Sequence, residues 1–200
     1  MGKLEYYFGT MASAKSGKLL MTCHQYMDCG AHCILLKPSF DSRDKEGHIN
    51  SRAVQSKPCT LINTDTNIVE LVNSLLDKKY DYTCVLVDEV QFLTTEQINQ
   101  LWQISRNKEF LIDVQCYGLK TTYTNELFEA SSKLLVLADK TYCLPSMCSF
   151  CHNEATTHLR IINGVPVKQG HFNIIGDINK SNEYYKSVCQ SCYNNPPENL

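Results

Sequence analysis

Residues 8–20 read FGTMASAKSGKLL. Gly9, Thr10, Met11, Ala12, Ser13, Ala14, Lys15 and Ser16 fit the phosphate-binding pattern GxxxxGK[ST] at every fixed position but one, because the second glycine is Ala14. In that pattern a loop leaves a strand and opens a helix. Backbone N–H groups and the helix N-terminus then face the phosphates, the lysine reaches the outer ones, and the hydroxyl holds magnesium. The context is right on both sides: residues 4–8, LEYYF, are β-prone, and residues 15–28 read as a helix stopped by Gly30. If position 14 needs a positive φ, a methyl group there costs on the order of 1 kcal/mol, which strains the loop without abolishing it. Taken alone, the degenerate loop is equally consistent with an ordinary helix start carrying an exposed lysine.

The stretch CVLVDEVQF, residues 84–92, supplies the missing specificity. An apolar run ending in an acid describes a buried strand whose terminal carboxylate emerges at the sheet edge, where α/β proteins bind ligands. With residues 83–89 as strand, Asp88 would assist the metal held by the loop hydroxyl, and Glu89 would face the other way and reach an attacking hydroxyl. In isolation the pair reads equally as two solvated charges closing a strand. Other short apolar runs, CILLKP (33–38), FLIDVQCYG (110–118), LLVLADK (134–140) and TYCL (141–144), alternate with helical patterns at 67–78 and 95–105. That alternation predicts an α/β fold: a phosphate-loop parallel sheet flanked by helices up to residue 145. Residues 39–60 read as a long loop, and NG at 163–164 as a hairpin turn.

Composition narrows the setting. Two hundred residues, 43% apolar and 20% charged with net charge −2, suit one core with a small appended module. No basic patch or membrane-spanning run stands out, so neither nucleic acid nor membrane is expected as a partner, and the lack of an export signal points to the cytoplasm. Of eleven cysteines, Cys23, Cys29, Cys33, Cys59, Cys84, Cys116 and Cys143 lie singly and are read as small buried hydrophobes. The other four form the knuckles CSFC (Cys148, Cys151) and CQSC (Cys189, Cys192). Four thiolates suit tetrahedral zinc better than redox chemistry and leave no open catalytic position. Such an ion would tie both ends of residues 152–188 together; His152 and His171 are minor candidate ligands. The expected division is 1–145 for the nucleotide-binding domain, 146–193 for the zinc-bearing lid and 194–200 for a frayed tail.

Loop, acid pair, VDEVQFL, CYGLKTTY, ELF and the paired knuckles, in this order, resemble the cytosolic zinc-ribbon thymidine kinases from Tyr7 to Tyr193. The resemblance implies ATP and thymidine as substrates and a homotetramer. It implies that Gly9 to Ser16, with Asp88 and Gln91, bind ATP, that Ser16, Asp88 and Asp41 hold magnesium, and that zinc is structural. Glu89 would be the general base toward the thymidine 5′-hydroxyl, and Arg43 would stabilise charge on the transferring group. Met11, Phe92, Leu119 and Tyr123 would line the nucleoside pocket. Phe172, Asn173, Ile174, Ile175 and Gly176 match a lasso loop over the base, and Tyr185, four residues before Cys189, matches a pocket tyrosine. Because IIGDINKSNEYY is longer than the family's run, Tyr184 is an alternative to Tyr185. Lys120 stands where many relatives have an acid. Another deoxyribonucleoside kinase on the same core, or a non-catalytic nucleotide-sensing zinc-ribbon protein, are the rival readings.

Overall fold

In the computed structural model the described residues are 1–39, 47–170 and 182–197. In chain order they form β1 (Leu4–Phe8), α1 (Lys15–Asp28), β2 (His32–Pro38), β3 (His48–Ile49), β4 (Lys57–Pro58), β5 (Thr60–Ile62) and α2 (Ile68–Leu75). There follow β6 (Tyr82–Val87), a 3₁₀ turn (Val90–Phe92), α3 (Thr95–Ser105), β7 (Leu111–Gly118), α4 (Glu129–Leu137) and β8 (Lys140–Cys143). The chain continues as β9 (Thr157–Ile162), β10 (Val165–Val167), β11 (Glu183–Val188) and α5 (Gln190–Asn194).

Six strands make one sheet in the order β5-β2-β6-β7-β1-β8, and all its pairings are parallel. The apolar runs follow from this, since helices cover both faces and alternate side chains on a strand bury in opposite cores. On β6, Val85 and Val87 join the cluster holding Ile68 and Val72 of α2, Ile98 and Leu101 of α3 and Leu134 of α4. Cys84 and Leu86 join Leu19, Leu20 and Cys23 of α1 on the other face. Since the strands run parallel, the loop after β1 and the acids after β6 leave the same edge, with only β7 between them.

Helices α1 and α3 have the expected bounds, and Gly30 takes the positive φ of 80° that a helix stop requires. Asn67 lies outside α2 as its cap, its side chain accepting from the N–H groups of Val69 and Glu70 at 3.1 and 3.3 Å. The run LLVLADK is a correction: most of it belongs to α4, not a strand. Ala130, Ser131 and Leu134 recur at helical spacing and are buried, whereas Val136 is 77% exposed, a pattern no two-residue period fits. The expected strand 83–89 stops at Val87. The loop read over 39–60 contains the small β3–β4 pairing. Of the lone cysteines, Cys23, Cys84 and Cys116 are buried and Cys33 and Cys59 partly so, but Cys29 and Cys143 are exposed.

Beyond β8 a second sheet, β10-β9-β11, is antiparallel. Asn163 and Gly164 link β9 to β10 with φ of 52° and 75°, the two positive values a type I′ hairpin turn demands. Cys148, Ala155, Leu159, Ile161, Val188 and Tyr193 form its own apolar cluster.

Candidate active site

The phosphate loop closes on itself. Ser13 Oγ donates to the Thr10 carbonyl at 2.9 Å, and the Lys15 ammonium donates to the same carbonyl at 2.7 Å and to that of Gly9 at 3.4 Å. Ala14, the N-cap of α1, has φ 57° and ψ 31°, the left-handed conformation that the pattern's glycine would occupy freely. Thr10 and Ser13 are buried with Lys15, while Met11, Ala12 and Ala14 are exposed around the mouth.

Ser16 joins this loop to the acid pair, its hydroxyl lying close enough to the Asp88 carboxyl to stabilise the charged form. Asp88 is buried, and that burial, with the neighbouring Glu89 charge, pushes its carboxyl up to about 7 against the opposing pull of Ser16, the Glu89 N–H and Lys37. A divalent cation would relieve this cost, and a hydroxyl beside a carboxylate is the hard oxygen donor set that magnesium takes. Ser16 and Asp88 therefore fit the ion.

Glu89 is not on a strand. It has φ 49° and ψ 40° at the head of the 3₁₀ turn, a left-handed residue, so strand alternation does not set the direction of its side chain. Gln91 donates to Glu89 Oε2 at 2.6 Å and accepts the Leu119 N–H on its own Oε1 at 2.9 Å. This crossing needs Gly118 at the end of β7, since a Cβ there would lie 2.4 Å from Gln91 Oε1. Both polar ends of Gln91 are thus engaged by the protein.

Phe92 packs edge-on to Phe128 at 6.0 Å, and the Leu119 carbonyl accepts from Tyr6 and Ser131 at 2.9 and 2.7 Å. Tyr123 and Tyr185 meet edge to face at 6.2 Å. Arg160 reaches the Tyr123 hydroxyl at 3.2 Å and pairs with Glu183 at 2.8 Å. A Cβ on Gly170 would come within 3.2 Å of the Tyr123 hydroxyl, so the chain entering the expected lasso passes against Tyr123. Alternation on β11 puts Tyr184 against the apolar cluster of the second sheet and leaves Tyr185 on the Tyr123 side. Asp41, Arg43, His171, Phe172, Asn173, Ile174, Ile175 and Gly176 lie outside the described residues.

The Sγ atoms of Cys148, Cys151, Cys189 and Cys192 lie within 4.8 Å of one another, and those of Cys151 and Cys189 are 3.6 Å apart. Tetrahedral Zn–S bonds of about 2.3 Å require sulfur separations of about 3.8 Å, so the cluster fits zinc. Burial pushes the Cys148 thiol up, but N–H groups of Cys189, Phe150 and Cys151 outweigh it and hold it down to about 6, toward the thiolate a metal needs. His152 is not in the cluster.

The residue reading missed Lys37, buried at the end of β2 beside Asp88, for which the signal was a lysine closing an apolar run. It also missed His158 and Arg160, which nothing in their flanking sequence singles out.

Among the described residues no helix is long and apolar enough to cross a membrane. Residues 2–193 match the family model described as thymidine kinase. The chain is 38% identical over 198 residues to a thymidine kinase of Listeria monocytogenes serotype 4b, covering 98% of this chain and 99% of that one. It is 35% identical over 199 residues to a thymidine kinase of Streptococcus gordonii, covering 100% of both.

Proposed function

The chain belongs to the thymidine kinase family, and from that premise we propose that it transfers the γ-phosphoryl group of ATP to the 5′-hydroxyl of thymidine with Glu89 as general base. The observation that carries the assignment of roles is that Ser16, at the end of the loop, lies beside the Asp88 carboxyl and stabilises its charge, so that loop and acids meet at one sheet edge.

Gly9 to Ser16 cradle the triphosphate with backbone N–H groups, and Lys15 exchanges its loop carbonyls for phosphate oxygens. Ser16 and Asp88 would hold magnesium, with Asp41 added by resemblance, and an ion there would supply positive charge against the phosphate oxygens. Glu89, steered by Gln91, accepts the 5′-hydroxyl proton as the new O–P bond forms and the bond from the γ-phosphorus to the bridging oxygen breaks, releasing ADP. Arg43 counters charge on the transferring group. Met11, Phe92, Leu119, Tyr123 and Tyr185, with residues 172–176 closing over the base, form the nucleoside pocket. Gln91 serves by holding Glu89 beside the ATP that the loop binds. The zinc-bearing lid spans 146–193, the core 1–145, and the active form is a cytoplasmic homotetramer, an assignment supported by resemblance alone.

Incubation with γ-labelled ATP and a panel of thymidine, deoxycytidine and deoxyuridine tests this reading. Label on thymidine is expected. Label only on another acceptor, or bound ATP without transfer, contradicts it.

A further inference from the structure

The phosphate loop is held from outside as well as from within. The Met11 N–H donates to His158 Nε2 at 2.9 Å, across 147 positions of sequence. His158 is 4% exposed and lies on β9 in the sheet beside the zinc cluster. An Nε2 that accepts an N–H carries no proton, so the ring is neutral with its hydrogen on Nδ1. Its surroundings enforce that state: burial, then the nearby Lys15 charge, push the imidazole down to about 4. Two further contacts from the chain leading into this sheet reach the loop and its strand. Ser146 Oγ is hydrogen-bonded to Thr10 Oγ1, and the Leu144 N–H donates to the Phe8 carbonyl at 2.7 Å.

We propose that His158 is a positioning residue for ATP: by accepting the Met11 N–H it fixes the exposed turn of the phosphate loop, so that the zinc-bearing sheet sets the loop's readiness for the triphosphate. Met11 lies between Thr10 and Ala12 in the segment without regular structure that precedes α1. Left without a partner, its N–H would reorient the peptide and with it the amides that follow. A neutral acceptor is required, because a protonated ring would face both the Met11 N–H and the Lys15 ammonium as a donor. The proposal rests on the kinase reading for its consequence in catalysis, though not for the contact itself.

Steady-state kinetics of the full-length, zinc-loaded protein test it. His158→Leu keeps bulk and removes the acceptor. It is expected to raise KM for ATP about tenfold, the scale of a lost hydrogen bond that leaves a donor unsatisfied, with KM for thymidine changed less than about twofold and zinc content retained. His158→Gln, whose amide oxygen is a neutral acceptor, is expected to recover most of that loss. An ATP KM unmoved by His158→Leu, equal rises for both substrates, or no recovery with glutamine overturns the proposal. Hydrogen exchange at the Met11 amide of the unmodified protein stands apart from variant folding and from the kinase reading. Slow exchange is expected, and exchange as fast as that of exposed loop amides overturns the proposal. Absence of transfer by the unmodified protein would instead count against the kinase reading.

Discussion

Gln91 donates its side-chain N–H to Glu89 across 2.6 Å while its carbonyl accepts the Leu119 N–H at 2.9 Å, so the carboxylate is oriented from β7, the strand between the acids and the phosphate loop. A carboxylate oxygen accepts, so an N–H aimed at Glu89 Oε2 orients the group without neutralising it as a base. The arrangement also gives the two acids different partners: Asp88 is buried beside Ser16, and Glu89, in a left-handed conformation, is held by Gln91.

Gly118→Ala tests this orientation. The new Cβ would lie 2.4 Å from Gln91 Oε1 and 2.9 Å from Val90 Cγ1, forcing Gln91 off both partners. Loss of one orienting hydrogen bond is expected to lower kcat about tenfold with little change in KM for ATP. A raised ATP KM with unchanged kcat would mean that Gln91 serves the nucleotide directly.

Ala14→Gly should stabilise the protein. At φ 57° the methyl group of Ala14 is strained, and glycine relieves about 1 kcal/mol, less the entropy it adds to the unfolded chain. Urea unfolding should show a higher midpoint at unchanged slope. A lower midpoint would place the strain elsewhere.

The buried imidazole predicts a pH dependence. The folded-state pKa of His158 is lowered from 6.5 to about 4, so the unfolded chain binds the extra proton first. Stability present above about pH 6.5 is then lost as pH falls toward 4, by up to about 3 kcal/mol. Lys15 faces the ring, and Lys120 and Cys143 line the same small cavity. Melting temperatures of the unmodified protein and of His158→Gln should diverge over this window, with the unmodified protein falling faster. Parallel curves would contradict the prediction. Acid effects on the zinc cysteines are common to both and cancel.

Removing zinc with a chelator should raise the thymidine KM most, because the knuckles bracket the segment assigned to the base. It should also raise the ATP KM, because Ser146 and His158 lie on the chain around the metal cluster and touch the loop. An ATP KM that ignores zinc would break that link; equal rises would mean that the metal supports the whole core.

Local signals carried much of this account. GxxxxxKS between a strand and a helix, an apolar run closed by DE, and NG between two strands are each short patterns whose residues meet their partners nearby in sequence or through a parallel sheet. Two failures came from reading apolar runs without their period, and a third from taking the lone Cys29 and Cys143 as buried when both are exposed. LLVLADK has the buried spacing of a helix at Ala130, Ser131 and Leu134, and Glu89 lies beyond the strand that was extended to include it. His158 was invisible for a different reason: its partner is 147 residues away, and a histidine in THLRI carries no local mark of an acceptor. The same holds for Gly118, whose role is set by the Gln91 side chain arriving from another strand's loop.

The central claim is that Glu89 removes the proton from the attacking 5′-hydroxyl while the loop and Asp88 hold the nucleotide. Single-turnover transfer by Glu89→Gln, measured beside its ATP affinity, tests this most directly. ATP binding within about twofold of the unmodified protein is expected, with transfer slowed by about 10²-fold or more. Unchanged transfer would remove Glu89 from the mechanism.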